Sequence, residues 1–87
     1  MTATVTITLL TQEQCSLCDQ AKAVLERVRD DPSSPAVDLV VMDLGSEPGR
    51  RLGAAAGVLF APGVLLDGKP FSHGRLSESK LRRALAP

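Results

Sequence analysis

Cys15 and Cys18 are the only cysteines of the chain, and they stand three positions apart in Gln14-Cys15-Ser16-Leu17-Cys18-Asp19. On the first turn of a helix, residues i and i+3 lie on one side, about 5–6 Å apart. Modest local adjustment brings two sulfurs there to bonding distance. A cysteine at or just before that turn also meets free N–H groups and the positive end of the dipole, which favour a thiolate over a thiol. Such positions lower a cysteine pKa from ~8.5 towards ~3.5–7.5. On this reading Cys15 is a nucleophile, and Cys18, deeper in the turn and less exposed, is the resolving thiol that closes a disulfide. A metal site is the rival chemistry. It would have two of the usual four ligands from this pair, and the single histidine, His73, lies far along the chain. A third reading keeps the motif but gives it no chemistry, in a module that only binds. Glu13 and Asp19 oppose thiolate formation and Lys22 favours it, so the local charges leave its sign open.

The elements that must position the pair are legible on either side of it. Thr4-Val5-Thr6-Ile7-Thr8-Leu9 alternates threonine with aliphatic residues and reads as a strand, followed by the polar loop Thr11 to Gln14. Leu17, Ala21, Val24, Leu25 and Val28 recur at the spacing of one buried helix face, which predicts a helix over roughly Ser16 to Arg29. Asp30-Asp31-Pro32-Ser33-Ser34-Pro35 ends it in a turn. Val37 to Met42 is a second strand, and its near-continuous apolar run suits burial on both faces of a parallel arrangement. Strand, helix and strand in this order make a βαβ unit. Ser46-Glu47-Pro48 is a helix start and Gly57 a helix stop, with Gly49 and Gly53 weakening what lies between.

Val58-Leu59-Phe60-Ala61 approaches Pro62 in extended form. Val64-Leu65-Leu66 is a third strand, and Asp67-Gly68 is the strongest hairpin signal of the chain, turning into a fourth strand over Lys69 to Ser72. A last helix is predicted from about Ser77. Its Glu78 stands near the start and Lys80, Arg82 and Arg83 later, in agreement with the dipole. The expected architecture is a single α/β domain over residues 1–87, ordered βαβ-α-ββ-α, with a mixed four-stranded sheet flanked by helices.

Composition excludes some partners. Ten basic and ten acidic residues cancel, leaving no electrostatic case for nucleic acid or an anionic membrane. No apolar run approaches the ~20 residues of a membrane span. Met1-Thr2-Ala3-Thr4-Val5 lacks the basic region and cleavage pattern of a secretory signal, so a cytoplasmic protein is expected. In that reducing setting a cysteine pair is more often catalytic or metal-binding than a structural staple. A monomer is expected.

The element order, the opening Cys-x-x-Cys and Ala61-Pro62 just before the third strand together resemble the thioredoxin fold over nearly the whole chain. Within it the chain is similar to small bacterial glutaredoxin-like proteins. The likeness is carried by Thr8-Leu9-Leu10-Thr11, Cys15-Ser16-Leu17-Cys18, Ala21 to Leu25, Ala61-Pro62, Leu66-Asp67-Gly68 and Gly74-Arg75-Leu76. The resemblance implies thiol–disulfide oxidoreduction through Cys15 and Cys18 with no metal and no prosthetic group. The partner it implies is a protein or small-molecule disulfide. It also implies that Pro62 is cis and lies beside the cysteines, exposing the Ala61 backbone to pair with an extended substrate. An ordinary trans proline at a strand edge is the alternative for Pro62.

The chain departs from standard dithiol glutaredoxins at several positions. Ser16-Leu17 replaces Pro-Tyr, no lysine precedes the motif, Phe60-Ala61 replaces Thr-Val, and His73-Gly74-Arg75 replaces a Gly-Gly-acid pattern. Each change removes or alters a glutathione contact known in that family, which argues against glutathione as the partner without excluding it. Arg75 could meet a substrate carboxylate through bidentate pairing, against the plainer role of a surface charge before a helix. His73 is either a solvated loop residue or a group for ligand docking or proton transfer.

Overall fold

The computed structural model describes residues 4–86. The elements run β1 (Val5–Thr11), α1 (Ser16–Asp30), β2 (Val37–Asp43), α2 (Glu47–Ala56), β3 (Gly63–Leu66), β4 (Lys69–His73) and α3 (Glu78–Leu85). This is the thioredoxin-like order expected from the sequence. The leader-less reading of Met1 to Ala3, and Pro87 at the end of the expected domain, lie outside the described residues.

The four strands form one mixed sheet in the order β2-β1-β3-β4. β1 runs parallel to β2 and antiparallel to β3, and β3 runs antiparallel to β4. Alternation along β1 sends its side chains to two different cores. Ile7 and Leu9 join Ala21, Leu25 and Val28 of α1, Val64 of β3 and Leu81 of α3. Leu10 joins Val58 and Leu65 on the opposite face, packed by Met42, Leu44 and by Leu52 and Ala56 of α2. The sheet is thus sandwiched, with α1 and α3 on one side and α2 on the other.

The expectation that β2 is buried on both faces is corrected. β2 is an edge strand, none of its residues is fully buried, and Val41 is 46% exposed. The strand buried on both faces is β1, whose threonines had given it the more amphipathic pattern; Thr8 is 7% exposed. Position in the sheet decides here. β1 has neighbours on both sides, whereas β2 has only β1, and an apolar run by itself does not report strand order.

Each connection has a local cause. Ser46 caps α2, its hydroxyl accepting the Gly49 N–H at 3.1 Å, and Gly57 ends that helix in the left-handed region with φ 73°. Gly49 and Gly53 do more than weaken the helix. A Cβ at Gly49 would run into the carbonyl oxygen of Asp43, and one at Gly53 would lie 2.7 Å from Leu44 Cδ1. Both glycines let α2 approach the end of β2. Asp67 (φ 50°) and Gly68 (φ 82°) form the predicted hairpin turn, which needs two positive φ values. The turn is tied to β1: the Asp67 N–H donates to the Thr6 carbonyl at 2.7 Å, and the Thr6 N–H donates to Asp67 Oδ1 at 2.8 Å.

α3 is fastened to α1 by Leu81 in the core and by ion pairs at the rim. Arg27 pairs with Glu78 at 2.8 Å, and Arg82 pairs with Asp31 at 2.8 Å and with Glu78 at 3.0 Å.

Candidate active site

β1 delivers the chain to one end of the sheet, where residues 12–15 reverse it into α1. Gln14 makes this reversal in the left-handed region, φ 52°, which is uncommon for a residue with a side chain. Cys15 then takes the N-cap of α1 in extended conformation, and its Sγ accepts the Cys18 N–H at 3.1 Å. Cysteine here fills the place usually held by serine, threonine, aspartate or asparagine. The Asp19 N–H donates to the Cys15 carbonyl at 3.1 Å and starts the helical ladder.

The two cysteines are joined as a disulfide with their Cα atoms 5.2 Å apart. Their surroundings differ. Cys18 is 3% exposed and packed beneath the turn, whereas Cys15 is only partly buried. An incoming sulfur can therefore approach the bond from the Cys15 side. The asymmetry expected from the motif, an outer and an inner cysteine, is present.

The strand register sets what else reaches this end of the sheet. Leu10 pairs with Gly63, and Gly63 pairs with His73. The Ala61-Pro62 loop ahead of β3, and His73 at the end of β4 with the Gly74-Arg75 loop after it, therefore share the end to which β1 carries the cysteines. The Ala61–Pro62 bond is cis, as the resemblance implied. Pro62 is fully buried, and its carbonyl accepts the Gly74 N–H at 2.8 Å, linking the two loops. Ala61 is 8% exposed, more closed than the resemblance implied, yet among the described residues no hydrogen bond engages its main chain. Arg75 is exposed at the mouth of a cavity between β4 and the start of α3.

Two residues of this region were read from the sequence only as part of the extended approach to Pro62, with Phe60 also a departure from Thr-Val. Leu59 is 87% exposed and Phe60 51% exposed, immediately before Ala61. The Phe60 ring meets the His73 ring edge to face, centroids 5.1 Å apart, and lies 3.6 Å from where a Cβ on Gly74 would stand. His73 is exposed, as its plainer reading held, but it is the last residue of β4 rather than a loop residue, and it carries an aromatic contact that its spacing from Phe60 could not announce. The available signal was Val58-Leu59-Phe60 itself, three apolar residues in a segment too short to belong to a strand or helix.

The fold and the disulfide at a strand-to-helix junction define a thioredoxin-fold protein with a redox-active Cys-x-x-Cys. The profile of the glutaredoxin-like domain (DUF836) matches residues 6–86, and the chain belongs to that family. Its site and fold are those of a thiol–disulfide oxidoreductase. Solved structures agree on the fold. A point variant of thioredoxin from Halobacterium salinarum superposes with TM-score 0.70 at 20% identity, covering 93% of this chain and 71% of that one. A protein titled Trxlp from Edwardsiella tarda gives 0.72 at 15% identity, covering 95% and 82%. A thioredoxin-like protein from Clostridium perfringens gives 0.74 at 16% identity, covering 98% and 71%. A sequence search of curated proteins returned no significant match.

Among the described residues no group of three or more His, Cys, Asp or Glu side chains could hold a metal ion. No helix of the described residues is long and apolar enough to cross a membrane.

Proposed function

We propose that the chain reduces a protein or small-molecule disulfide by dithiol exchange, with Cys15 as the attacking thiolate and Cys18 as the resolving thiol. In the reduced protein the Cys15 thiolate attacks one sulfur of the substrate disulfide. A mixed disulfide forms and the first substrate thiolate leaves, taking up a proton. Cys18 then loses its proton and attacks Cys15 Sγ. The second substrate thiolate leaves and the Cys15–Cys18 disulfide remains, so two electrons pass from protein to substrate. The observation that carries this reading is the pairing of an accessible N-cap cysteine with a buried one a turn further on.

Ala61 and Pro62 form the wall against which the substrate strand lies, with the Ala61 main chain as its pairing edge. Arg75 meets a substrate carboxylate. The functional unit is one domain spanning residues 1–87, acting as a monomer in the cytoplasm. Glutathione is a disfavoured partner, because the positions that would contact it carry other residues.

The reading is tested by mixing the reduced protein with an excess of a disulfide-bonded peptide and following thiol release. One equivalent of oxidised protein and two thiols per turnover are expected. Reduced protein whose thiols stay free throughout would contradict it and favour a binding module. A tight stoichiometric metal on the reduced protein would favour a metal carrier.

A further inference from the structure

The two edges of the sheet are built differently. β4, at one edge, begins with Lys69 and Pro70, and its register on β3 shifts between Val64 and Leu65. A lysine, a proline and a bulge are devices by which edge strands avoid pairing with another chain. β2, at the other edge, has seven residues, none of them Lys, Arg, Pro or Gly, and pairs with β1 in unbroken register. Its run Leu39-Val40-Val41-Met42 has the composition of a strand with neighbours on both sides, yet β2 has one neighbour.

The hydrogen bonds define what that edge presents. The Val5 N–H donates to the Ala36 carbonyl at 2.9 Å, and the Leu44 N–H donates to the Thr11 carbonyl at 2.7 Å. Main-chain groups alternate sides along a strand, so Asp38, Val40 and Met42 also turn theirs to β1. Val37, Leu39 and Val41 turn theirs outward, and no hydrogen bond of the described residues engages them. The series stops at Asp43, whose carbonyl accepts the Ser46 N–H at 3.0 Å and the Ser46 hydroxyl at 2.6 Å. Side-chain burial is incomplete along the same strand. Val37, Leu39 and Met42 are only partly buried against the two cores, and Val41 is 46% exposed.

We infer that the open edge of β2 is a docking site for an extended segment of another protein, which adds a fifth strand with basic residues at its two ends and apolar residues between. The outward N–H and C=O groups of Val37, Leu39 and Val41 supply the pairing. The charged residues of β2, Asp38 and Asp43, are exposed carboxylates, and their spacing puts one on each face of the sheet. An incoming segment is favoured when it sets a cation opposite each of them and an apolar side chain beside Val41. A second copy of the chain would instead double both carboxylates along one seam. The added strand would lie two strand spacings, about 10 Å, from β1, the strand that leads to Cys15. Its affinity for the edge is independent of disulfide exchange at Cys15 and Cys18.

The test uses the full chain, isotope-labelled and at low salt, with two blocked seven-residue peptides of alternating valine and threonine. One ends in lysine on both sides and the other in glutamate. The lysine-ended peptide is expected to slow hydrogen exchange at the Val37, Leu39 and Val41 amides and to leave Asp38, Val40 and Met42, already paired with β1, unchanged. It should bind roughly fivefold or more tightly than the glutamate-ended peptide. Val41→Pro removes an outward N–H without touching the ladder to β1, and should abolish the effect while the remaining amide spectrum is kept. Should that variant unfold, Asp38→Lys decides, and the lysine-ended peptide is expected to lose its advantage. Protection that ignores the alternation, no protection at all, or equal response to the two peptides overturns the inference. Protection of the same three amides that grows with protein concentration in the absence of peptide would give the edge to a second copy and overturn it as well.

Discussion

The Cys18 N–H donates to Cys15 Sγ at 3.1 Å, so the inner cysteine's own backbone holds the sulfur of the outer one at the helix N-terminus. When the disulfide is reduced, that donor and the dipole behind it favour negative charge on Cys15. Cys18, at 3% exposure, has neither the solvent nor the position. At mildly acidic pH, alkylation of the reduced protein should label Cys15 faster than Cys18 by roughly tenfold or more. Peptide mapping after short exposure reads this directly. Equal labelling would remove the assignment of roles.

Acid should weaken the docking of α3. Asp31 lies below its ordinary carboxylate range, first through the Ser33 N–H and hydroxyl and then through Arg82. Glu78 is lowered by Arg27 and then Arg82. Lowered folded-state values mean that the unfolded chain binds protons first as pH falls. The stabilisation is therefore complete above the ordinary carboxylate values of 3.8 and 4.5, and is lost progressively as pH drops through the lower folded values. Thermal melting from pH 6 to pH 2 should show Tm falling mainly below about pH 4.5. Arg82→Gln should flatten that part of the profile, since Arg82 touches both carboxylates.

Substituting alanine at Gly49 should destabilise the protein although alanine is the better helix former. The new Cβ would meet the Asp43 carbonyl oxygen, a backbone atom that cannot rotate away. Overpacking of this kind costs about 1–3 kcal/mol, against a propensity gain of about 1 kcal/mol. At Gly53 the obstacle is Leu44 Cδ1, the tip of a flexible side chain, so Gly53→Ala should cost less. Urea unfolding of both variants ranks them. A Gly49→Ala protein as stable as the parent would mean that α2 can move off β2.

The sequence carried these elements unevenly. The Ser46 and Gly57 ends of α2, the Asp67-Gly68 turn and the helix opened by Cys15 were readable because each depends on a few neighbouring residues. The edge position of β2 was not, since Leu39-Val40-Val41-Met42 has the same composition as a central strand and only pairing decides which it is. The need for Gly49 was read as helix weakness, because the Asp43 carbonyl that forbids a side chain comes from the preceding loop-strand junction. The site divides in the same way. Cys15 and Cys18 are local and were visible, and Pro62 followed from the resemblance. Phe60 meeting His73 is a contact between separate segments that no spacing rule announces.

Glutathione-coupled turnover should be weak. The chain has no lysine before its motif and carries His73-Gly74-Arg75 where a standard dithiol glutaredoxin has a Gly-Gly-acid pattern. A glutathione mixed-disulfide assay run beside such a glutaredoxin checks this. Comparable turnover would show that other side chains, Arg75 foremost, have replaced the lost contacts.

The central claim is that Cys15 attacks and Cys18 resolves, and trapping the intermediate tests it most directly. Reduced Cys18→Ser protein, mixed with a disulfide-bonded peptide, should accumulate a mixed disulfide at Cys15, seen as one added peptide mass that a reductant removes. Reduced Cys15→Ser protein should accumulate little, because its remaining thiol is buried. An adduct that forms on Cys18 as readily as on Cys15, or on neither, would contradict the account.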